Sequence, residues 1–357
     1  MDKVLLVGAG DIGERVIRLL VPHTPVFAVA RDPARIAALE ALGATVLLAD
    51  LDDRSSLQHL AGVADTVIHL APPPGTGTID TRTQNLLAVM TAVSRPMVAQ
   101  GGDVAGQCLD ACDGNDLHQA RRDVAVQRLV YVSTTGVYGD CGGRWVDESS
   151  PLNPCTPRAV RRVDAERQLF TWGLAHQVSV VVLRAPGIYA TDRLPLARLR
   201  EGTPVLRAAE DVFTNHIHAD DLASALVRAL TTMTGEGTAA TTAATAAAMS
   251  GAIADATPST PMSAAYNVCD DSEIRMGDYF DLVADAFGLP RPPRVSRAQA
   301  AQRIAAPLLS FMDESRRVGN ARMKAELGIV LRYPTVREGV AAAVRASGEP
   351  AFRQGNR

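Results

Sequence analysis

The chain has 357 residues, a formal net charge of −3, and 47% hydrophobic against 21% charged residues. A chain of this length can bury a large core, and its mixed charges favour neither nucleic acid nor a membrane surface as a partner. The five cysteines are scattered and odd in number, which argues against a disulfide framework. No run of about 18 apolar residues predicts a membrane span. The composition therefore predicts a soluble, cytoplasmic protein.

An apolar β run early in the chain is followed by Gly8, Gly10 and Gly13, and then by an amphipathic helix pattern. Strand, glycine turn and helix in this order form the dinucleotide-binding fingerprint. Gly8 makes the tight turn, Gly10 lets the backbone approach a pyrophosphate, and Gly13 lets helix and strand pack closely. The pyrophosphate is expected at the helix N-terminus, at Asp11 and Ile12, where unpaired amides and the helix dipole favour an anion.

Strand-like and helix-like patterns alternate in the next part of the chain. The predicted strands are 25–30, 44–49 and 65–70, and the predicted helices are 33–42, 55–60 and 80–93. This alternation is typical of right-handed βαβ crossovers. Because the strands are apolar almost throughout, we expect a parallel sheet that is covered on both faces.

Residues 94–123 break this alternation, and we interpret them as an inserted surface loop. Cys108 and Cys112 fall in it near acidic residues and a histidine, but their spacing is not a usual zinc pattern. No metal site is therefore predicted. The remaining elements of the sheet are a fifth strand at 128–132, a long helix at 159–175 and a sixth strand at 178–183.

The alternation of strand-like and helix-like segments becomes less regular in the C-terminal half. Residues 231–263 are rich in Ala, Thr and Ser, with too few large apolar side chains to offset the entropy of ordering, so we expect mobility there. Order should resume at 266–268. The predicted helices are 222–230, 276–287, 313–327 and 335–344. We predict an α/β fold, with a doubly wound parallel Rossmann sheet over 1–185, a smaller C-terminal substrate lobe over 186–350 and a tail over 351–357.

The end of the second strand, at 28–33, bears on the choice of cofactor. An NAD enzyme usually has a carboxylate there for the ribose 2′-hydroxyl, whereas an NADP enzyme uses an arginine for the 2′-phosphate. Asp32 precedes Pro33 and a helical run, which favours a role as helix N-cap. Arg31 has no such role, and its planar guanidinium suits a phosphate. We therefore predict binding of NADP in preference to NAD, with Arg31 on the 2′-phosphate.

Two more strand ends are expected to border the cofactor. Asp50 and Leu51 follow the third strand, from which a side chain can reach the adenine, although an Asx turn is the alternative for Asp50. Leu70, Ala71 and Pro72 follow the fourth strand, where small residues with few donors would form a smooth wall against the cofactor.

Five stretches carry motifs in a recognisable order. They are Val-Gly-Ala-Gly-Asp-Ile-Gly at 7–13, Val-Ile-His-Leu-Ala at 67–71, Tyr-Val-Ser-Thr-Thr-Gly-Val-Tyr-Gly at 131–139, Leu-Arg-Ala-Pro-Gly-Ile-Tyr at 183–189 and His-Ile-His-Ala-Asp-Asp-Leu-Ala at 216–223. Together they resemble the extended short-chain dehydrogenase/reductase superfamily, in its NAD-dependent epimerase/dehydratase group. The resemblance covers nearly the whole chain apart from the two insertions.

The resemblance implies roles for several residues. Thr134 stands where the family has a catalytic Ser or Thr at the end of the fifth strand. Pro186, Gly187 and Ile188 form the turn after the sixth strand, which is expected near the nicotinamide. Relatives commonly pair two helices in a dimer, so a homodimer is consistent with the resemblance.

The segment from 216 to 222 contains two histidines and two aspartates that could be mistaken for a metal site. His216 and His218 alternate along an extended segment, but no third ligand stands at metal spacing, so we interpret both as structural. Asp220 or Asp221 is expected to cap the helix that begins at Leu222.

The family's catalytic Tyr-x-x-x-Lys pair is missing. Aligned on Pro157 and Glu166, the tyrosine position holds Arg158 and the lysine position holds Arg162. The chemistry needs a phenol whose pKa is lowered by a nearby cation, so that it can exchange a proton with a carbinol. A guanidinium, with a pKa above about 12, cannot do this, although Arg162 could still hydrogen-bond a nicotinamide ribose. The chain therefore resembles an atypical member of the family.

Two hypotheses follow for the function. In the first, the protein is an oxidoreductase or epimerase-like enzyme that acts on a carbonyl or hydroxyl group of a small, sugar-nucleotide-like substrate. Tyr138, Tyr189 or a water held by Thr134 would then move the proton, and Arg158 would bind an anionic substrate or polarise a carbonyl. In the second, the catalytic pair has been lost and the protein is a non-catalytic NADP-binding sensor. We favour the enzyme.

Overall fold

The computed structural model describes residues 3–91, 125–232, 263–305 and 309–347. The described strands are β1 Val4–Val7, β2 Val26–Ala30, β3 Thr45–Leu48, β4 Thr66–His69, β5 Arg128–Thr134, β6 Trp145–Val146, β7 Ser179–Ala185, β8 Gly187–Tyr189, β9 Val205–Leu206, β10 Phe213–Thr214, β11 His216–His218, β12 Ser263–Asn267, β13 Ile274–Arg275, β14 Arg294–Val295 and β15 Arg317–Val318.

The described α-helices include one of twenty residues and four of only five or seven. They are α1 Asp11–Leu20, α2 Ile36–Glu40, α3 Thr81–Thr91, α4 Pro157–His176, α5 Leu196–Arg200, α6 Ala219–Thr232, α7 Met276–Ala286, α8 Arg297–Arg303, α9 Ala321–Leu327 and α10 Val336–Ser347. Five short 3₁₀ helices cover Pro33–Arg35, Arg54–Leu60, Thr135–Tyr138, Thr191–Arg193 and Ser310–Met312.

Seven strands form one central sheet in the order β12-β7-β5-β4-β1-β2-β3. Strand β1 pairs in parallel with β2 and with β4, so that Val4 lies opposite Val26 on one side and Thr66 on the other. The β2–β3 and β4–β5 pairs are parallel as well. The strand order reverses at β1, which is the switch point where open α/β sheets bind ligands at the carboxyl ends of the strands. The predicted Rossmann-type α/β fold is confirmed.

The first βα unit follows directly from its sequence. Every residue of β1 is buried, as expected for a central strand that is covered on both faces. Helix α1 covers the strand with a stripe of buried residues at helical spacing, whereas Leu19 on its outer face is exposed. The buried residues of the helix are Gly13, Val16, Ile17 and Leu20.

The contacts divide the chain into two compact units. The first unit comprises the described residues within Met1–Tyr131, Asp164–Val181 and Met233–Ala264, and the second comprises those within Val132–Val163, Val182–Thr232 and Ala265–Arg357. The domain boundary predicted near residue 185 stays a prediction.

The second unit is held together by clusters of buried side chains. One cluster brings together Tyr189 of β8, Leu199 of α5, Val283 of α7 and Val340 of α10. Four pairs of two- or three-residue strands connect its loops, namely β6–β15, β8–β11, β9–β14 and β10–β13. Such short strands carry no measurable hydrophobic period, so the sequence pattern does not predict them.

The predicted helix at 313–327 is wrong over its first half. Arg317 and Val318 form strand β15, and helix α9 begins only at Ala321. The extended conformation is preferred because the backbone of this segment pairs with other loops: the Val318 amide donates to the Asn215 side chain at 3.0 Å, and Gly319 donates to the Val146 carbonyl at 2.9 Å. Tertiary pairing therefore overrides a helix-like spacing of apolar residues.

Several predictions fall on parts of the chain that the structure does not describe. The inserted loop at 94–123, with its cysteines, and nearly all of the stretch at 231–263 lie outside the described residues. Within the described ranges, no helix combines the length and the apolar character that crossing a bilayer requires. In the same part of the chain, no group of three His, Cys, Asp or Glu side chains could hold a metal ion.

Candidate functional site

The glycine turn of the first unit has the shape that a dinucleotide requires. Gly8 has a φ of +98°, and a Cβ there would lie 2.6 Å from the backbone nitrogen of Ala71. A Cβ on Gly13 would lie 3.0 Å from the Gly8 carbonyl oxygen and 3.1 Å from Leu6. By contrast, a Cβ on Gly10 would meet nothing within 4 Å. The turn is thus packed tightly on its inner side and leaves the backbone at Gly10 open to a ligand.

Helix α1 begins at Asp11, and its first backbone bond runs from the Glu14 amide to the Gly10 carbonyl at 2.9 Å. The amides before Glu14, including that of Ile12, are the ones that a helix end leaves for an anion. The acidic side chains of this first turn are each compensated by an arginine. Asp11 accepts from Arg15 at 3.1 Å, and Glu14 accepts from Arg35 at 2.6 Å. The residues present therefore fit a dinucleotide pyrophosphate.

The end of β2 confirms one prediction and adds an arginine that the sequence argument missed. Asp32 caps the following 3₁₀ helix, because its carboxylate accepts from the Ala34 amide at 2.9 Å and Pro33 takes the first helical position. Arg31 is exposed. Arg35 donates to the Ala9 carbonyl at 2.9 Å, inside the glycine turn. The sequence does not predict this contact, since only the folded chain brings Arg35 and the glycine turn together.

The loops after β3 and β4 are joined by one arginine. Arg82 donates to both carboxylate oxygens of Asp52, at 2.8 and 2.6 Å, and to the Pro72 carbonyl at 3.1 Å. The hydrogen bond from Arg82 is the largest cause that lowers the pKa of Asp52. A bidentate pair of this kind holds the two loops in a fixed position relative to each other.

The predicted cofactor residues on these loops are mostly engaged in local structure. Asp50 forms the Asx turn that was the alternative interpretation, because its Oδ1 accepts from the Asp52 amide at 3.0 Å. The Leu51 carbonyl accepts from Asn85 at 2.9 Å. The Leu70 amide donates to the Val7 carbonyl at 2.8 Å and so prolongs the β1–β4 ladder up to Ala71, which packs on Gly8.

The second unit contains a cavity of about 680 Å³. It brings together Thr134, Arg158 and the turn after β7, three places that the sequence marks as chemically important. Its wall also contains two further arginines and one carboxylate. The lining residues are Thr134, Thr135, Gly136, Thr156, Pro157, Arg158, Ala159, Pro186, Gly187, Ile188, Arg193, Phe213, Thr214, Asn215, Met276, Ser310, Phe311, Glu314 and Arg316.

Thr134 is the last residue of β5 and the N-cap of the next 3₁₀ helix. Its Oγ1 accepts from the Gly136 amide at 3.2 Å. A hydroxyl that accepts one bond still has its own proton to donate, so Thr134 can donate to an oxygen of a ligand in the cavity.

Arg158 lies at the start of α4 and lines the cavity. Its guanidinium stacks on the Phe311 ring, 5.2 Å from the ring centre. Burial, and next to it the like charge of Arg162, lower the pKa of Arg158, while Glu314 acts in the opposite direction. A guanidinium stays charged in proteins, so this environment favours an anionic ligand and excludes Arg158 as a proton donor.

The structure does not bring Arg162, Tyr138 or Tyr189 to the cavity wall. Arg162 donates to the Val132 carbonyl at 2.8 Å. The Tyr138 hydroxyl is buried, donates to Asn267 at 2.8 Å and accepts from Arg184 at 2.9 Å. These bonds make both side chains parts of the interior framework of the second unit.

Glu314 and Arg316 are cavity residues that the sequence argument missed, because 313–327 was predicted to be helical. Glu314 Oε2 accepts from Arg316 Nη1 at 2.7 Å, and the same nitrogen donates to the Gly139 carbonyl at 2.7 Å. Gly139 ends the family-like motif at 131–139, so one arginine ties the loop before β15 to that motif. No residue pattern signals this pairing.

The segment at β11 forms part of an aromatic cluster. His216 is fully buried, which lowers its pKa to about 3, and its ring lies 4.2 Å from Tyr279. His218 lies 3.9 Å from the Tyr333 ring and accepts from the Asp220 amide through Nδ1 at 3.1 Å. Both histidine rings therefore pack against aromatic side chains, and their interpretation as structural residues stays a prediction.

The prediction that Asp220 or Asp221 caps helix α6 is wrong. The helix begins at Ala219, so both aspartates lie inside its first turn. Asp221 instead turns away and accepts from the amides of Arg332 and Tyr333, at 2.7 and 3.0 Å. The capping bond comes from His218, one residue before the helix.

A parallel sheet with a switch point at β1, a glycine turn and a following helix define a Rossmann-type dinucleotide-binding protein. A model of the "NAD dependent epimerase/dehydratase family" matches residues 4–239, well over half of the chain. The protein belongs to this family.

Similarity to curated relatives is local. A dTDP-D-glucose 4,6-dehydratase of Homo sapiens is 32% identical over 79 residues, which are 22% of this chain and 23% of that protein. An uncharacterized UDP-glucose epimerase, YtcB, of Bacillus subtilis (strain 168) is 24% identical over 141 residues, 40% of this chain and 38% of that protein. The chain thus spans well under half of the length of these relatives.

Similarity to solved structures extends over the whole fold. A functionally unknown conserved protein from Silicibacter pomeroyi DSS is 26% identical with a TM-score of 0.64, over 98% of this chain and 100% of that one. UDP-glucuronic acid 4-epimerase from Bacillus cereus, solved in complex with NAD, is 16% identical with a TM-score of 0.65, over 96% of each chain. MoeE5 in complex with UDP-glucose and NAD is 21% identical with a TM-score of 0.62, over 97% and 98%.

Proposed function

We propose that this protein is an NAD(P)-dependent, epimerase-type oxidoreductase that acts on a hydroxyl or carbonyl group of an anionic, sugar-nucleotide-like substrate. The observation that carries the proposal is the cavity of the second unit. Thr134, Arg158 and the Pro186–Ile188 turn lie on its wall, and each belongs to a stretch that resembles a functional motif of the family. Relatives named for reactions of UDP- and dTDP-sugars support the substrate class.

The first unit would hold the cofactor through the glycine turn and the N-terminus of α1. The amides at this helix end, the open backbone at Gly10 and the arginines around Asp11 and Glu14 suit a pyrophosphate. When bound, the nicotinamide supplies a site that takes or gives a hydride. We further propose that Arg31 favours NADP, because it is exposed at the end of β2 while Asp32 is occupied as a cap.

Within the cavity, the charges of the wall determine what is bound. The described lining residues include three arginines, Arg158, Arg193 and Arg316, and a single carboxylate, that of Glu314. This excess of positive charge favours a substrate with a phosphate or carboxylate group. Arg158 would bind that anion, and the Thr134 hydroxyl would donate to the oxygen of the reacting carbon.

The test combines binding and turnover. UDP-glucose, UDP-glucuronic acid and dTDP-glucose are offered with NAD⁺ or NADP⁺, and NAD(P)H formation and sugar products are followed by absorbance and NMR. Removing Thr134 (T134A) is expected to lower kcat by about 10²-fold, as loss of one polarising donor does. Replacing Arg158 (R158M) is expected to raise KM by at least about tenfold, and R158K should recover part of it.

Matched control variants are T78A and R167A, which change exposed residues outside the cavity and should leave kinetics unchanged. Tight NAD(P)H binding without conversion of any of these substrates would contradict the proposal. That result would instead favour a cofactor-binding sensor.

A further inference from the structure

We propose that Glu314 is the catalytic residue that exchanges the proton with the substrate hydroxyl, in the place of the tyrosine that this chain lacks. The inference rests on the proposed function, because it assigns a residue to the same cavity. Glu314 lies between the 3₁₀ helix Ser310–Met312 and strand β15, in the second unit. Among the described lining residues of the cavity it is the sole carboxylate, and that set contains no tyrosine, histidine, lysine or cysteine.

Glu314 is held in place on one side only. Its side chain is 11% exposed, and Oε2 accepts from Arg316 Nη1 at 2.7 Å. Its other oxygen, Oε1, is buried without a hydrogen-bond partner among the described residues. The Nε of Arg316 is buried in the same way, also without an acceptor in the described part of the chain.

Glu314 Oε1 and Arg316 Nε are buried, unpartnered atoms of two residues that line the cavity. A buried carboxylate oxygen without a donor is costly, and so is a buried guanidinium N–H without an acceptor. A hydroxyl is the simplest group that donates one hydrogen bond and accepts another. A substrate hydroxyl in the cavity would therefore donate to Glu314 Oε1 once a rotation of the carboxylate brings this buried oxygen to the cavity surface.

The hydrogen-bonded proton is also the one that the reaction removes. On oxidation, the hydroxyl O–H bond breaks and the proton passes to Glu314 Oε1. The C–H bond would break as well, its electron pair would leave as hydride for the oxidised nicotinamide cofactor of the proposed function, and the carbon–oxygen double bond would form. In the reverse direction, protonated Glu314 returns the proton to the carbonyl oxygen as the carbon receives the hydride.

The charged neighbours of Glu314 include two arginines. Arg316 binds it directly, and Arg158 on α4 acts on it electrostatically. The other titratable neighbours are Asp140 and Cys141 on the loop before β6, of which Asp140 accepts from the Ser315 amide at 2.8 Å.

The experiment compares Glu314→Gln with Glu326→Gln in the full chain. Glu326 is the matched control, since it also pairs with an arginine, Arg322 at 3.0 Å, but does not line the cavity. With the best substrate of the nucleotide-sugar panel, E314Q should lower kcat by about 10²-fold or more and abolish the acidic limb of the kcat–pH profile. E326Q should leave kcat within about twofold of the wild-type value and keep the acidic limb of the profile. E314D should recover part of the rate and restore the acidic limb.

A second readout does not depend on turnover. Binding of the same nucleotide sugar to the cofactor-free protein is measured by calorimetry, and E314Q should weaken it by about tenfold, because an amide oxygen accepts a weaker hydrogen bond than a carboxylate. If E314Q keeps wild-type kcat, pH profile and binding, Glu314 is not the acid–base residue, although the proposed function stands. If the wild type neither binds nor converts any member of the panel, both proposals are overturned.

Discussion

Two glycines of the dinucleotide turn have different surroundings and therefore different sensitivities to substitution. Gly8 needs a positive φ and has no room for a Cβ beside Ala71, whereas Gly10 has an ordinary φ of −81° and open space. We expect G8A to destabilise the fold by about 1–3 kcal/mol through strain. G10A should cost less than about 1 kcal/mol as a poorer helix cap, yet should weaken NAD(P)H binding because its methyl group meets the pyrophosphate.

Thermal unfolding and fluorescence titration separate the two effects. If G10A bound the cofactor as tightly as the wild type, the predicted contact of the pyrophosphate with Gly10 would be wrong. If G8A unfolded at the wild-type temperature, the predicted strain at Gly8 would be wrong. Gly75 provides the control, since a Cβ there also meets nothing within 4 Å and it lies outside the turn, so G75A should change neither quantity.

Asp270 makes the stability of the protein depend on pH. Burial, reinforced by the charges of Asp271 and Asp221, raises its pKa from 3.8 to about 7, while hydrogen bonds from Ser272 oppose the shift. Because the folded state holds the proton more tightly than the unfolded chain, stability is complete below about pH 4 and is lost as pH rises through 7. Oδ2 has no partner among the described residues, so the ionised form has little compensation.

We therefore expect D270N to be more stable than the wild type at pH 8, by an amount on the order of 2–4 kcal/mol. The difference should grow between pH 4 and 7 and level off above that range. Denaturant unfolding at several pH values measures it, and the opposite titration of buried His216 cancels because both proteins contain it. A difference that does not change with pH would contradict the raised pKa.

At the scale of elements, helix α10 depends on a glycine where helix propensity alone would favour alanine. A Cβ at Gly339 would lie 2.3 Å from the hydroxyl of Tyr189, whose buried ring is held edge-on by His216 and His218. Propensity favours G339A by about 1 kcal/mol, but the clash with a ring that cannot move should outweigh it.

We expect G339A to lower the free energy of unfolding by about 1–3 kcal/mol, as overpacking does. Ala341, exposed on the same helix, provides the control: A341G should cost about 1 kcal/mol and so measures propensity without packing. If G339A were more stable than the wild type, the contact with Tyr189 would not limit this position.

The elements that the sequence predicts well are those whose pattern is local. The buried runs of β1 and β4 and the amphipathic α1 each carry their own signal, and they lie where they were expected. Strands such as β6 and β15 do not, because Val146 and Val318 each need a partner far along the chain to become extended. Glu314 was missed for the same reason: its place on the cavity wall depends on the pairing of two distant loops, which no spacing of residues encodes.

The residues of the sequence motifs also divide into those whose place the sequence predicts and those whose side-chain direction it does not predict. Thr134 and the Pro186–Ile188 turn line one cavity, because Thr134 ends the central strand β5 and the turn follows the central strand β7. Their roles stay predictions. Tyr138 belongs to the same motif as Thr134, but its hydroxyl points into the interior, towards Asn267 and Arg184. A motif thus predicts which part of the structure a residue lies in, whereas the local backbone decides where its side chain points.

At the scale of the whole molecule, cofactor binding and stability are linked, and this linkage tests the preference for NADP. A ligand at 100 times its Kd stabilises the native state by about 2.7 kcal/mol. If Arg31 binds the 2′-phosphate, removing it should cost about 1.4 kcal/mol, which is tenfold in Kd. At the same NADPH concentration, the stabilisation of R31A should therefore fall to about half of the wild-type value, or ~1.4 kcal/mol.

NADH has no 2′-phosphate, so its stabilisation should be the same in R31A and in the wild type. Calorimetric unfolding with each cofactor gives the four values needed, and R167A, an exposed arginine on α4, is the control for the loss of a surface charge. Both the glycine turn and Arg31 belong to the first unit. If R31A kept the full NADPH stabilisation, the 2′-phosphate would be recognised by another residue, and Arg35, which already donates to Ala9 in the glycine turn, would be the next one to change.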